Sequence, residues 1–170
     1  MFYGNNSISV NPSTDSTFNS NYLAVYHLNQ NFSDASLNNY TGTNNGSTND
    51  ASSKIGAGRS FVDPNHWIEL TTLPDFTGSF TISAWINTND NSEQGQRIIC
   101  DDEGNANGGY ALSLGDPGTG RIRFYIRGLG PVSMDSPNNT ISNNTWYYVV
   151  GVFDDASNIK RLYVDGNLLI

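Results

Sequence analysis

Oxygen ligands are the commonest chemistry on offer in this sequence. Asp34 with Asn38, Asp63, and the pair Asp101 and Asp102 set carboxylates and an amide in Gly- and Asn-rich stretches. A hard cation such as calcium takes several ligands of that kind from flexible loops. The competing expectation is that Asp and Asn close turns by bonding their own backbone amides, with no ion involved. No D-x-D-x-D-G string of the helix-loop-helix type is present. A glycosidase needs two carboxyls facing one cleft. Asp101, Asp102 and Glu103 are consecutive, so on an extended backbone neighbours point to opposite sides, and the triplet is expected to end a strand in a solvated loop.

Histidine and cysteine offer less. His27 and His66 are the only histidines, each within an apolar-alternating segment, and are expected to be strand residues with satisfied rings, neither general bases nor ligands. Cys100 is the sole cysteine, which excludes an intrachain disulfide framework. With acidic neighbours and no nearby histidine, it is expected to be a buried, inert thiol on a strand.

A sugar site would combine an aromatic platform with polar groups for the hydroxyls. Trp67 and Tyr125 are the candidate platforms, with Trp85 a further one, and Glu103, Asn105 and Asn107 are candidate ligand contacts from the acidic loop. Aromatics also bury well in sandwiches, so the same rings are candidates for the core. Arg121, Arg123 and Arg127 would form one positive stripe on a strand, plainly read as a solvent face paired with acidic residues of neighbouring strands.

The elements that must position these groups are short strands. Trp146 to Phe153 and Ile159 to Val164 are dense in aromatic and β-branched residues and are parted by a polar loop, which is how a hairpin is written. Asp165-Gly166 suits a two-residue turn with positive φ at both centres, folding Leu162-Tyr163-Val164 back onto Asn167-Leu168-Leu169. The strand from Trp146 is apolar on both faces, which predicts an interior place in a layered structure. Further strands are expected at Leu23–Leu28, His66–Leu70, Phe80–Asn87, Arg97–Cys100, Tyr110–Leu114 and Arg121–Ile126, with Phe80, Ile82, Ala84 and Ile86 on a core face. Short strands, frequent turns and no helical period predict an all-β, antiparallel two-sheet sandwich.

Composition bounds the function. The 170 residues suit one such domain, and the formal net charge of −8 with only 8 Lys+Arg excludes a basic stripe for nucleic acid or anionic lipid. No apolar run reaches membrane-spanning length.

Several stretches carry a family resemblance. W-Y-Y-V-V-G-V-F-D followed by L-Y-V-D-G resembles the W-H-H-V-A-x-x-Y-D … L-Y-V-D-G run of the laminin-G-like branch of the concanavalin A-like lectin/glucanase jelly rolls, with Tyr147 and Tyr148 where histidine is more usual. Phe76 to Asn87 is similar to that family's L-T-G-x-F-T-I-S-A-W-V segment. Asp34 to Thr43 is similar to its D-S-S-G-N-N-N-H-G-T turn, with Leu37 replacing a glycine, and Asp63 stands at its F-D-G aspartate. The resemblance spans residues 22 to 170 and implies a jelly-roll domain that lacks its last strand or strands. Residues 1 to 21, opening on Phe2-Tyr3-Gly4-Asn5, resemble the tail and linker of an upstream β domain. The glucanase cousins carry E-x-D-x-x-E on one strand, and no such string occurs here. The resemblance therefore implies a noncatalytic carbohydrate- or glycoprotein-binding or adhesion module, calcium-supported at its loop rims, in an extracellular or cell-surface multidomain protein. The other classes are a structural spacer and a glycoside hydrolase.

Overall fold

The computed structural model describes residues 17–29, 31–70, 73–74, 76–102, 109–116 and 118–170. The chain divides into two compact units, residues 1–75 and 76–170. The described elements are all β-strands, and none of the described residues forms a helix long and apolar enough to cross a membrane. The Phe2-Tyr3-Gly4-Asn5 opening lies outside the described residues.

The first unit holds two small antiparallel ladders. β1 (Thr43–Asn45) pairs with β4 (Trp67–Glu69), and β2 (Thr48–Asp50) pairs with β3 (Gly58–Ser60). The strand expected over Leu23–Leu28 is not formed, and Tyr26 makes only an isolated bridge to Asp34. The cause is local: the Asp34 carboxylate takes the Val25 N–H that a ladder would have used, and Leu28 turns the chain at φ 57°. Neither histidine is a strand residue. His66 sits just before β4, and His27 is exposed, its ring 6.0 Å from that of Phe18.

The second unit is a sandwich of two four-stranded antiparallel sheets. One runs in the order β12 (Asn167–Leu168), β11 (Ile159–Val164), β10 (Tyr147–Asp154), β5 (Phe80–Ile86). The other runs β6 (Gln96–Asp101), β7 (Tyr110–Leu114), β8 (Ile122–Ile126), β9 (Ser133–Asp135). Their inner faces share one cluster: Ile82, Val149, Phe153, Leu162 and Val164 from the first sheet, and Tyr110, Leu112, Leu114, Ile122, Phe124 and Ile126 from the second. Burying each such side chain stabilises by about 1.5–3 kcal/mol. The sheets approach closely where the Phe124 ring lies over Gly151, since a Cβ there would stand 2.8 Å from that ring. The turn at Asp165-Gly166 has φ of 49° and 80°, the two-residue geometry the dipeptide predicts.

One face differs from expectation. β10 is interior to its sheet, with Val149, Gly151 and Phe153 buried, while Tyr148, Val150 and Val152 on its other face are only half-buried. Trp85 shares that outer face, 39% exposed, with its ring 5.3 Å from that of Tyr148.

Candidate functional site

Strict alternation along β8 sends Ile122, Phe124 and Ile126 into the core, so Arg123, Tyr125 and, just past the strand, Arg127 point out. Register then builds rows across the outer face. Arg97 on β6 stands opposite Ser113 on β7, which faces Arg123, which faces Asp135 on β9. The next row is Cys100, Ala111, Tyr125 and Ser133. Small residues on β7 leave the middle of this face low between larger neighbours, and a groove of about 200 Å³ opens there. Its lining includes Arg97, Asp102, Asp116, Arg123, Arg127 and Ser133, with Tyr125 as an almost covered floor at 7% exposure.

A bulge between Arg97 and Ile99 puts Arg97 and Cys100 in successive outward rows. Without the extra residue, alternation would have sent Cys100 inward, as expected from the sequence; instead it is exposed. Its thiol still titrates high, chiefly because its surroundings withhold water, an effect the neighbouring Tyr125 hydroxyl only partly opposes.

Each arginine of the groove meets an aspartate. Arg127 donates through Nε and Nη2 to the two oxygens of Asp102, at 2.5 and 2.7 Å, and Tyr125 donates its hydroxyl to the same carboxylate. Arg123 donates through Nε and Nη2 to Asp135, at 2.6 and 3.1 Å. These are two-point, charge-assisted pairs, and the hydrogen bonds to Asp135 and Asp102 hold Arg123 and Arg127 above the usual guanidinium range. Burial, then the bond to Asp102, raises the Tyr125 phenol well above its ordinary value. Asp116 is held differently, with single contacts of 3.4 Å from Arg97 and from Arg123. Gly115 sets its turn: φ is +77°, and a Cβ would lie 1.9 Å from the Glu93 carbonyl oxygen, so no other residue fits. Ser113, between the two arginines in the row, is fully buried with its Oγ unpartnered, a cost of about 1–3 kcal/mol for a hydroxyl.

A family model for the concanavalin A-like lectin/glucanases superfamily matches residues 62–169. The chain belongs to that superfamily. No curated protein and no solved structure matches it. The two-sheet antiparallel sandwich of residues 76–170 is consistent with the superfamily's jelly roll, which serves carbohydrate-binding and adhesion modules and also glycoside hydrolases.

The expected site residues scatter within this superfamily member. Tyr125 and Asp102 meet in the groove, whereas Asp101, the last residue of β6, pairs with the inward-facing Tyr110 and so belongs to the other row. Glu103, Asn105 and Asn107 lie outside the described residues. Trp67 and the residues around Asp34 and Asp63 belong to the first unit. Trp67 is 50% exposed on β4, not a core residue there. Both oxygens of Asp34 are engaged, by the amides of Val25, Ser36 and Tyr40 and by the Ser36 hydroxyl. Burial alone would raise the Asp34 pKa, and those donors together hold it below the ordinary carboxylate range. Asn38 turns its amide nitrogen to the Leu23 carbonyl at 2.9 Å, and Asp63 accepts from the Asn65 backbone and side chain. Among the described residues no three His, Cys, Asp or Glu side chains converge as a metal would require.

Arg97, Asp116, Asp135 and Ser133 were not expected. Asp116 sits in Gly115-Asp116-Pro117-Gly118, which reads as a plain turn, and Ser133-Met134-Asp135 is too short and polar to declare a strand. The solvent-face expectation for the β8 arginines holds for Arg123 and Arg127, paired with aspartates; Arg121 instead donates to the Ser136 carbonyl at 2.7 Å.

Proposed function

We propose that this chain carries a noncatalytic glycan- or glycoprotein-binding module of an extracellular or cell-surface multidomain protein, with its ligand in the groove over β6–β9. The supporting observation is the set of three arginines facing three aspartates around that groove: Arg97 with Asp116, Arg123 with Asp135 and Asp116, Arg127 with Asp102. Guanidinium and carboxylate groups held side by side offer planar donors and acceptors at the spacing of neighbouring hydroxyls, which is how polar sites fix the orientation of a sugar. The groove volume of about 200 Å³ suits one ring or the end of a chain. Asp102 and Asp135 are each committed to a two-point arginine pair, which favours binding over glycosidic chemistry, where one carboxyl must pass a proton to the leaving oxygen.

Ser133→Trp tests the reading, because Ser133 lines the groove from edge strand β9 and a large ring there would fill it. The full-length protein is expected to retain oligosaccharides on a glycan array and release them unhydrolysed, and the variant to lose them while keeping its far-UV circular dichroism and cooperative thermal melt. Undiminished retention by the folded variant would place the ligand elsewhere. No retention by the parent protein would favour a structural spacer, and reducing-end products would favour a hydrolase.

A further inference from the structure

Asp116 differs from the other aspartates of the groove. Arg123 spends Nε and Nη2 on Asp135 and turns only Nη1 to Asp116, and Arg97 likewise offers only Nη1. Both contacts are 3.4 Å, at the long limit of a hydrogen bond, between side chains 41% (Arg97), 21% (Arg123) and 29% (Asp116) exposed. Pairs so long and so accessible to water hold little. Yet the convergence is specific: two guanidinium edges from strands on either side of β7 point at one carboxylate, each to a different oxygen. Ser113, buried between the arginines in the same row, has a hydroxyl with no partner.

We infer that the Asp116 carboxylate is an internal stand-in for a carboxylate of the ligand, so that the groove takes a saccharide bearing a uronic acid. This deepens the glycan-binding reading and rests on it. On binding, Asp116 swings out on its turn into water and the sugar carboxylate takes its place between Arg97 and Arg123. With Asp116 turned away, Arg97, Arg123 and Arg127 face Asp102 and Asp135, leaving one positive charge in the groove. One carboxylate per ring matches that surplus, and a carboxylate matches the planar fork of an arginine. Neutral sugars would have to bind over a closed internal pair.

The test is isothermal titration of the full chain with galacturonate, glucuronate and mannuronate oligomers and with their neutral methyl esters. At least one acid is expected to bind about tenfold more tightly than its ester, roughly 1.4 kcal/mol. Asp116→Ala removes the internal competitor and is expected to strengthen binding of that acid about threefold or more, leaving the ester unchanged. Arg97→Gln is expected to abolish the preference for the acid. Esters binding as tightly as the acids, or an Asp116→Ala protein that is folded and binds the acid more weakly, would overturn the inference and leave glycan binding standing. Failure of the parent protein to bind any acid, ester or array glycan would overturn both.

Discussion

The apolar side chains from Ile82 to Val164 that cluster in the second unit have no counterpart in the first, where the buried side chains among the described residues are Asp34, Ser36 and Ser47. In the second unit, alternating strands put hydrocarbon on facing sheets, and Phe124 sits at the centre against Gly151 and 6.0 Å from the Phe80 ring. In the first, the Asp34 carboxylate gathers three backbone amides and a hydroxyl, and Ser47 and Asn44 bond one another through side chain and backbone. The lesson is that a stretch poor in aliphatic residues can still specify a turn-rich structure when its buried carboxylate and hydroxyls are partnered, even though the buried Arg59 Nε and His66 Nδ1 are not. The cost is dependence on charge.

The largest blow to this contrast should come from Phe124→Ala. Removing the ring from a fully buried position is expected to destabilise the second unit by about 3–5 kcal/mol. Denaturant unfolding measures it, and amide hydrogen exchange should speed across β5 to β12. Unchanged exchange in those strands would show that the unit is not held by its apolar cluster.

Asp34→Ala comes next. It strands the amides of Val25, Ser36 and Tyr40, and is expected to cost the first unit about 2–3 kcal/mol. Loss of exchange protection at those three amides would show that the carboxylate holds the first unit's loops. Retained protection would show that it does not.

A pH titration separates the units further. Because Asp34 titrates below the ordinary carboxylate value of 3.8 when folded, its contribution is fully present above that value and is lost as pH falls through the lowered folded value. First-unit exchange protection, corrected for the intrinsic rate, should therefore survive mild acid and fail only below the usual carboxylate range. Asp34→Asn should remove that dependence at the Val25, Ser36 and Tyr40 amides.

The smallest effect is expected at Lys160. This side chain is buried, donates to the Pro131 carbonyl at 2.7 Å and lies 5.7 Å from the Phe153 ring. Burial lowers its pKa from 10.5, so the unfolded chain holds more protons and stability rises as pH climbs from the folded value towards 10.5. Lys160→Met should leave stability at neutral pH unchanged or raise it by about 1 kcal/mol, and should abolish the alkaline rise. A clear loss on thermal melting would mean that the second unit depends on an interior charge just as the first does.

Much of the second unit was legible from local pattern. Phe80–Asn87, Tyr110–Leu114, Trp146–Phe153 and Ile159–Val164 alternate strongly enough to place β5, β7, β10 and β11 within a residue or so. The first unit was less so, because Leu23–Leu28 carries a strand pattern whose Val25 amide is captured by a carboxylate nine residues away. Cys100 lies on the face opposite to the one its alternation predicts, because a bulge leaves no mark in composition. Trp67 and Trp85 are exposed although their hydrophobicity suits a core, because a ring's exposure depends on what other segments cover.

What the sequence determined by itself is the class of structure: all-β, antiparallel, with a positive-φ turn at Asp165-Gly166 and membership of a lectin-like superfamily, since these rest on periods and turns a few residues long. Which arginine meets which aspartate was decided by tertiary structure alone. Arg97 and Asp116 are brought together only by the pairing of β6 with β7, and Arg123 and Asp135 only by that of β8 with β9. Register across strands is set by the whole core at once, so no local stretch of the chain encodes it.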